Sequence, residues 1–291
     1  MKSWEELRLR EEALGGLCAG VVGTIIGFPL DLVKTRMQTG TTKQTTIFSV
    51  GQSIVKEEGI RALYKGLWPP LISLSILNTV TFAQYSMWRE FYNANPGWDQ
   101  RNFFAGISCA PVSGVVSTVE NLVKTQMQLD NITTKQYRSS FSCVKTLIQS
   151  HGVGIIYTGH MINTVREATF LGSYFFVYEG LREGLVRSSA FANHVQVAIP
   201  IAGGLSGAFS WFLSFPLDCV RAGVQGQRLP PQLGARQVLV SLLRERGVWS
   251  LYSGASASIA RAFLVSGSRF SAYEGALWML RGGRNYERHH D

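Results

Sequence analysis

Charged residues are scarce in this sequence and make up only 16% of its 291 positions. Soluble globular proteins average about 25%, so the composition disfavours an ordinary soluble domain. The mean hydropathy of +0.08 is nonetheless too low for a bundle of helices that face only lipid. We therefore expect a membrane protein whose polar residues face a water-accessible interior.

Several familiar site signatures are also missing. The four cysteines show no CxxC spacing and do not cluster with the five histidines, which argues against a zinc site and a disulfide framework. The net charge is +9, but lysine and arginine form no basic tract, so we predict no nucleic-acid partner. No nucleophile–base pair, metal cluster or phosphate-binding glycine loop is visible, so we predict no enzymatic activity and no cofactor. The first ten residues include two acids and no apolar segment with a cleavage site follows, so we expect no removable signal or transit peptide.

The sequence contains three copies of one unit. The segment Lys-Thr-Arg-Met-Gln at 34–38 returns as Lys-Thr-Gln-Met-Gln at 124–128 and more loosely at 221–225. A Tyr-x-Gly motif and then a further tyrosine follow it each time; these are Tyr64, Tyr157 and Tyr252, and Tyr85, Tyr178 and Tyr273. The period is too long for a solenoid repeat, so each copy must be a larger module. We predict a single domain over 1–291, with repeats at approximately 11–98, 99–192 and 193–285.

Each repeat contains the same elements in the same order. A Gly-rich apolar stretch of about 20 residues, long enough to cross a bilayer as a helix, comes first, at 14–32, 103–123 and 197–220. A short amphipathic segment follows, at 47–56, 139–149 and 235–244. A second apolar stretch begins after each Tyr-x-Gly motif. The predicted fold class is an all-α membrane protein with six transmembrane helices in three pseudo-threefold repeats, together with short amphipathic helices.

Small residues recur four positions apart on the first span of every repeat, a spacing that lets helices approach closely. They are Gly16, Gly20, Gly106, Ala110, Gly114, Gly203 and Gly207. Pro29 and Pro216 lie inside the first and fifth spans and should bend them. The third span has Val119 at that position, so a bend there is left open.

Thirteen ionisable residues fall within the predicted spans. A charge at a lipid-exposed helix centre costs about 2.5–3.5 kcal/mol or more, so these side chains should face a shared polar cavity, as in a transporter. They are Asp31, Lys34, Arg36, Glu120, Lys124, Arg166, Glu167, Glu179, Asp218, Arg221, Arg261, Arg269 and Glu274.

Two acid–base pairs follow the prolines at a spacing of three residues, Asp31 with Lys34 and Asp218 with Arg221. Around a threefold bundle each acid could reach a base on a neighbouring repeat and close one end of the cavity. A simple intrahelical salt bridge is the alternative.

The segments Pro-Leu-Asp-Leu-Val-Lys at 29–34 and Pro-Leu-Asp-Cys-Val-Arg at 216–221 resemble the signature of the mitochondrial carrier family. The threefold repeat is similar to that family over nearly the whole chain.

The resemblance implies a pseudo-threefold bundle in the mitochondrial inner membrane, with both termini toward the intermembrane space and the short helices on the matrix side. It implies alternating access between a matrix and a cytoplasmic network of salt bridges. It also implies cardiolipin bound near the Tyr-x-Gly motifs and the starts of the short helices, where backbone N–H groups favour anions. Plain helix capping is the alternative for those glycines. We expect the protein to act as a monomer.

The resemblance also assigns the gate residues. The matrix gate would comprise Asp31, Lys34, Lys124, Asp218 and Arg221. The bracing glutamines would be Gln38, Gln128 and Gln225. The cytoplasmic gate would comprise Arg89, Glu179, Arg182 and Glu274. The second repeat departs from the pattern, because Val119 replaces the proline and Asn121 the acid, while Glu120 lies one residue off register. The cytoplasmic motif is complete only in the second repeat, because Ser86 replaces an acid and Leu277 a base.

A substrate is not threefold symmetric, so polar residues without counterparts in the other repeats are its candidate contacts. They are Asn78, Arg166, Glu167, Arg261 and Arg269. Arg166 could hold a carboxylate through its two-pronged guanidinium and Glu167 an ammonium group. A salt bridge that fixes helix packing is the alternative for this pair.

The same residues suggest a branch of the family. Arg166-Glu167 and the segment Arg-Ala-Phe at 261–263 resemble the amino-acid and carnitine carriers. Leu77-Asn78 lacks the acid expected for ornithine-type substrates. The predicted function is an inner-membrane carrier of a zwitterionic metabolite, such as an amino acid, carnitine or a related betaine. The alternative is a carrier-like membrane protein with little transport and a structural or regulatory role.

Overall fold

The computed structural model describes the backbone of residues 2–39, 46–133, 137–188 and 195–280. Within the helices it describes the backbone alone at positions 2–17, 19, 72–79, 82, 131–133, 195–197, 199–200, 245–246, 263, 266–267, 269–271, 273–274, 277–278 and 280. The regular structure of the described ranges is entirely helical. The chain divides into two compact units, Met1–Leu67 with Gly254–Asp291, and Trp68–Ser253.

The described ranges contain ten α-helices. They are α1 (Lys2–Gln38), α2 (Ile47–Glu58), α3 (Trp68–Phe91), α4 (Gln100–Ser108), α5 (Ala110–Thr133), α6 (Ser140–His151), α7 (His160–Arg187), α8 (Val195–Gln225), α9 (Ala235–Arg246) and α10 (Ala255–Leu280). In the first unit α1 packs against α10, and in the second unit α7 packs against α4, α5 and α8.

The segment between the short and the long helix is built in the same way in all three repeats. A glycine with positive φ ends the short helix, a five-residue 3-10 turn follows, and a second positive-φ glycine precedes the next long helix. The first set is Gly59, Gly152 and Gly247, and the second is Gly66, Gly159 and Gly254. Residues other than glycine rarely adopt this backbone conformation. The glycines of the Tyr-x-Gly motifs therefore have a structural role in the turn.

Each short helix is held by apolar contacts to the end of the first long helix of its repeat. In the first repeat Val50 and Ile54 of α2 are buried together with Val33 of α1. In the second repeat Cys143 and Leu147 of α6 are buried together with residues of α5. The predicted starts of these helices agree with the structure to within one residue, and the helices end two residues beyond the prediction.

The third span is broken, although it has Val119 at the position where the first and fifth spans have a proline. The break lies at Cys109, between α4 and α5, and Pro111 is the second residue of α5. Proline has no N–H for the helical ladder and its ring clashes with the preceding turn, so Pro111 explains the break. By length and apolarity no single described helix meets the requirement for a membrane span, whereas the pair Gln100–Ser108 and Ala110–Asp130, bent by 46°, meets it.

Two of the predicted small residues allow a close approach of helices in the second unit. A Cβ atom at Gly106 would lie 2.5 Å from the carbonyl oxygen of Leu171, and one at Gly114 would lie 2.7 Å from the hydroxyl of Thr164. Both contacts join the third span to α7. At Gly203 and Gly207 the corresponding distances are 3.8 and 3.9 Å, which is ordinary packing.

Candidate functional site

A cluster of ionised side chains lies where α7 packs against α8. Arg166 Nη1 is 2.6 Å from Glu167 Oε1, and Arg166 Nε is 3.8 Å from Asp218 Oδ1. Arg221, one turn after Asp218, contacts the same Oδ1 at 2.7 Å. The guanidinium carbon of Arg166 also lies 5.3 Å from the ring centre of Phe170. Two cations and two anions thus share one partly desolvated site.

The helix geometry explains why this cluster forms. Arg166 and Glu167 are adjacent on α7 and therefore point about 100° apart, yet the long arginine side chain turns back to meet its neighbour. Asp218 and Arg221 are three apart on α8, so they share one face. Glu167 and Asp218 are both buried, and buried carboxylates require cationic or hydrogen-bonding partners.

A second ion pair lies in the first unit, where α10 packs against α1. Arg261 Nε is 2.6 Å from Asp31 Oδ1, and Asp31 is buried. A Cβ atom at Gly27, one turn earlier on α1, would lie 3.2 Å from Arg261 Nε. The small residue therefore leaves room for the guanidinium beside the helix backbone.

Of the predicted bracing glutamines, Gln225 contacts a gate residue. Its Oε1 accepts a hydrogen bond from Arg221 Nη1 at 3.0 Å, and its Nε2 donates to the carbonyl of Thr158 at 3.2 Å. Gln128 is fully buried, and its side chain has no hydrogen-bond partner among the described residues. Gln38 packs against the Tyr-x-Gly glycine of the third repeat, because its Cγ lies 3.5 Å from where a Cβ of Gly254 would be.

Three of the four predicted cytoplasmic gate residues lie together in the second unit. Glu179 is buried and contacts Arg89 at 3.3 Å and Arg182 at 3.6 Å. One turn away, Tyr85 stacks on Phe175 with ring centres 3.5 Å apart. The pairing joins α3 of the first repeat to α7 of the second, although the motif of the first repeat lacks its acid.

The sequence also predicts Lys34, Lys124, Asn78, Arg269 and Glu274 as site residues. The side chains of Asn78, Arg269 and Glu274 lie outside the described residues. Lys34 lies on α1 and Lys124 on α5, and both are half-buried. Their parts in the matrix gate stay predictions.

One in-membrane charge has a different place from the one that was expected. Arg36, in the last turn of α1, forms a buried ion pair with Glu58, the last residue of α2, with Nη2 2.9 Å from both carboxylate oxygens. Both side chains are almost fully buried. A cation at the end of a long helix can satisfy its charge on an adjoining surface helix, and helical periodicity alone does not reveal that partner.

The assumption that Arg166 and Arg261 lack counterparts in other repeats is also wrong. Each lies seven residues after the glycine of its Tyr-x-Gly motif, so the two arginines occupy the same position in the second and third repeats. Glu167 does differ, because the third repeat has Ala262 there.

A buried polar network that the sequence patterns did not predict joins α5 to α7. Asn163 Nδ2 donates to Ser117 Oγ at 2.8 Å and to Thr118 Oγ1 at 3.0 Å. All three side chains are buried. The residues are uncharged and no motif contains them, so sequence offered no signal for the network.

The site chemistry is that of an ion-pair cluster inside a helical bundle rather than that of a nucleophile with its base. The sequence profile described as mitochondrial carrier protein matches residues 5–96, 99–189 and 195–283, which is nearly the whole chain in three repeats. The chain belongs to the mitochondrial carrier family. The sequence prediction of the family and of its three-repeat helical fold is thereby confirmed.

Characterised members of the family resemble this carrier along most of its length. The mitochondrial arginine transporter BAC2 of Arabidopsis thaliana is 31% identical over 277 residues, which cover 93% of this chain and 91% of the relative. The mitochondrial basic amino acids transporter of Mus musculus is 28% identical, with 92% and 89% covered. The mitochondrial carnitine/acylcarnitine carrier protein of Mus musculus is 29% identical, with 91% of each chain covered.

These relatives are transporters or carriers by name, and the protein is accordingly a solute carrier of the mitochondrial inner membrane. The alternative of a structural or regulatory protein with little transport is not favoured by the comparisons.

Proposed function

We propose that this carrier moves a small metabolite with a carboxylate and a positively charged nitrogen, such as an amino acid, carnitine or a related betaine. The observation that carries the proposal is the adjacent pair Arg166 and Glu167, which offers a cationic and an anionic group 2.6 Å apart. A zwitterion can replace this internal ion pair with two new ones, one to Arg166 and one to Glu167. A simple anion can pair only with Arg166 and leaves the charge of Glu167 uncompensated. The names of the relatives, which include an arginine transporter and a carnitine carrier, support the same substrate class.

Arg166 would bind the substrate carboxylate, and Glu167 would bind its cationic group. The guanidinium is suited to the first task because its planar donors match both oxygens of a carboxylate. Arg261 belongs to the other compact unit, and its part in binding the same substrate stays a prediction from sequence, as do those of Asn78 and Arg269. No residue of the chain is proposed as a catalyst.

Uptake into proteoliposomes tests the proposal. Purified carrier is reconstituted and assayed with basic and neutral amino acids, carnitine, an acylcarnitine, a keto acid and a nucleotide. We expect saturable exchange of at least one zwitterion and little exchange of the keto acid and nucleotide. Saturable transport of the keto acid or nucleotide alone, or no exchange of any compound, would contradict the proposed substrate class.

The matrix gate, the cytoplasmic gate and the glutamine brace are proposed to act as the family resemblance implies, with both termini toward the intermembrane space and one chain as the working unit.

We also propose cardiolipin as a bound lipid. In support, an apolar groove lined by Trp68, Pro69, Val123 and Phe141 adjoins Ser139, the N-cap residue of α6. Acyl chains would fit the groove, and the headgroup would lie near free N–H groups at the start of the helix. Native mass spectrometry of the purified protein tests both lipid and stoichiometry.

A further inference from the structure

The second repeat lacks the buried ion pair that fastens the short helix of the first repeat. Arg36 lies two residues after the lysine that begins the repeat motif, and Glu58 lies six residues before the tyrosine of the Tyr-x-Gly motif. In the second repeat these two positions hold Gln126 and His151. A neutral amide and an imidazole cannot reproduce the contact in which Arg36 Nη2 lies 2.9 Å from both carboxylate oxygens of Glu58. The space between the long and the short helix must be filled differently in the second repeat.

Gln126 forms its hydrogen bonds with the end of α8 and not with its own short helix. Its Nε2 donates to the carbonyl of Gln225 at 2.6 Å and to that of Gln227 at 3.0 Å. His151, the last residue of α6, is exposed. A cavity of about 270 Å³ remains between the ends of α5 and α6 and the segment that follows α8.

The third repeat fills the corresponding space by direct packing. Gly223 takes the position of Arg36 and Gln126, and a Cβ atom there would lie 2.7 Å from Val238 Cγ1 of α9. The short helix of that repeat therefore lies close against its long helix. The cavity of the second repeat thus follows from its own residues at 126 and 151 and not from the repeat architecture.

The buried side of the cavity favours a cation. Asp130 lines it, is only 2% exposed and accepts the backbone N–H of Tyr137 at 3.0 Å. Both α6 and α8 end at the cavity, and the last carbonyl groups of a helix carry a partial negative charge. The first repeat holds the guanidinium of Arg36 at the position of Gln126. A small organic cation would supply the charge that Gln126 lacks.

The open side of the cavity favours an anion. Arg228 and His151 line it, and both are exposed. An arginine can donate two parallel hydrogen bonds to one carboxylate. The lining also includes Leu129, Leu147 and Leu229, which suit a short hydrocarbon chain. One cavity therefore combines a buried acid, an exposed base and an apolar wall.

We propose that this cavity binds a small zwitterion whose cationic group pairs with Asp130 and whose carboxylate pairs with Arg228, while a short methylene chain packs against the leucines. The site shares no residue with the cluster of Arg166 and Glu167, and it does not depend on which compound the carrier moves. The bound molecule would contact α5, α6 and the segment after α8. It would therefore strengthen the connection that Gln126 makes between the second and third repeats.

Equilibrium dialysis of the purified carrier in detergent, with radiolabelled 5-aminovalerate as probe, tests the site. This compound has an ammonium group and a carboxylate at opposite ends of a methylene chain. We expect saturable binding. Pentylamine, which lacks the carboxylate for an exposed arginine, should compete about three-fold more weakly than the unlabelled probe. Valerate, which lacks the cation for the buried acid, should compete at least about ten-fold more weakly. No binding of the probe, or better competition by valerate than by pentylamine, overturns the proposal.

Single substitutions test the two charged ends. Asp130→Asn should weaken binding of the probe by at least about ten-fold, because it removes the buried partner of the ammonium group. Arg228→Gln should weaken binding by about three-fold, as expected for an exposed ion pair. Arg138→Gln is the matched control, since Arg138 is an exposed arginine before α6 that does not line the cavity. Parental affinity in Asp130→Asn, or equal affinity in Arg228→Gln and Arg138→Gln, contradicts the proposed pairing.

A double variant keeps the proposal testable if Asp130→Asn does not fold. Gln126→Arg combined with His151→Glu rebuilds the ion pair of the first repeat in the second and fills the cavity with protein side chains. We expect this variant to lose binding of 5-aminovalerate. A folded double variant with parental affinity overturns the proposal.

Glu167→Gln separates this site from the proposed substrate site. Binding that Glu167→Gln abolishes and Asp130→Asn leaves unchanged lies at the substrate site, and it overturns this inference alone. Binding that depends on Asp130, in a carrier that exchanges no zwitterion in the uptake panel, supports the inference and contradicts the proposed function.

Discussion

At the scale of single residues, the most informative feature of this carrier is a set of charges that have more than one possible partner. Asp218 lies within contact of both Arg166 and Arg221, and Arg166 within contact of both Glu167 and Asp218. In a static protein core such sharing would weaken each pair. In a transporter, alternative partners of similar energy allow charges to be exchanged without ever being left unpaired in a medium of low dielectric constant.

The first prediction concerns the roles of Arg166 and Glu167. Glu167→Gln should weaken inhibition of transport by a zwitterion more than inhibition by its deaminated acid analogue, because only the zwitterion uses the negative charge. Arg166→Lys should not restore binding, because an ammonium group cannot reproduce a two-pronged contact with a carboxylate. Competition assays in proteoliposomes measure both effects.

Glu183→Gln is the control for that experiment, since Glu183 lies on the same helix and pairs with Arg187 at the exposed end. It should behave like the parental carrier. If Glu167→Gln weakens inhibition by the zwitterion and by the acid analogue equally, Glu167 does not bind substrate and serves only as a packing partner of Arg166.

At the scale of helices, each short helix is fastened to its long helix by packing, and in the first repeat also by a buried ion pair. Arg36 and Glu58 have side chains that are 3% and 9% exposed. When one partner of a buried pair is removed, the other remains charged without compensation, so such pairs are costly to break even where their net contribution is small.

Glu58→Gln should therefore destabilise the carrier by about 3–5 kcal/mol, seen as a clear fall in melting temperature in detergent. Glu57→Gln makes the same chemical change one residue earlier, where the carboxylate is exposed and accepts a hydrogen bond from Ser53. Its effect should stay within about 0.5 kcal/mol. Similar effects of the two substitutions would show that the ion pair does not fasten α2.

Close helix contacts provide the third prediction. Gly106→Ala should destabilise the second unit by about 1–3 kcal/mol, because its Cβ would overlap the carbonyl oxygen of Leu171 and the two helices would have to separate. Melting temperature is again the measurement.

Gly184→Ala is the matched control, since nothing lies within 4 Å of its Cβ position on the exposed face of α7. Alanine favours a helix over glycine by about 0.5–1 kcal/mol, so this variant should be slightly more stable than the parental protein. If the Gly106→Ala variant melts at the parental temperature, α4 and α7 can separate without a measurable loss of stability.

At the scale of the whole molecule, the second repeat breaks the threefold pattern of the proposed matrix gate, because Asn121 stands where Asp31 and Asp218 stand in the other repeats. A gate with one pair missing should open more readily, since closing it forms fewer ion pairs. The equilibrium between the state open to the matrix and the state open to the intermembrane space would then shift by the free energy of the missing ion pair.

Asn121→Asp should slow opening toward the matrix by restoring an ion pair with Arg221. An added pair in a water-accessible site is worth about 1 kcal/mol, enough to change the exchange rate several-fold. The exchange rate in proteoliposomes and the melting temperature in detergent are compared with those of Asn93→Asp, a substitution in an exposed loop. If neither quantity changes relative to that control, Asn121 is not part of the gate and Glu120 is the better candidate.

The sequence by itself determined the family, the three repeats and the position of each short helix, because these depend on local periodicity and on motifs that recur. It also singled out several ionised residues that the structure places in ion pairs, since ionised residues in apolar segments are conspicuous. The apolar stretch that identified the first span ends at 32, whereas α1 continues to Gln38. A helix can continue beyond its apolar stretch where its polar side chains form hydrogen bonds or ion pairs with neighbouring elements.

Only the tertiary structure decided which charges meet. Arg36 pairs with Glu58, Arg166 contacts Asp218, and Arg261 pairs with Asp31. These contacts depend on the rotation of one helix against another, which a single sequence does not encode in any short-range pattern. The break at Cys109 was not predicted, because Val119 replaces the proline at the position that bends the other repeats and Pro111 lies two turns earlier.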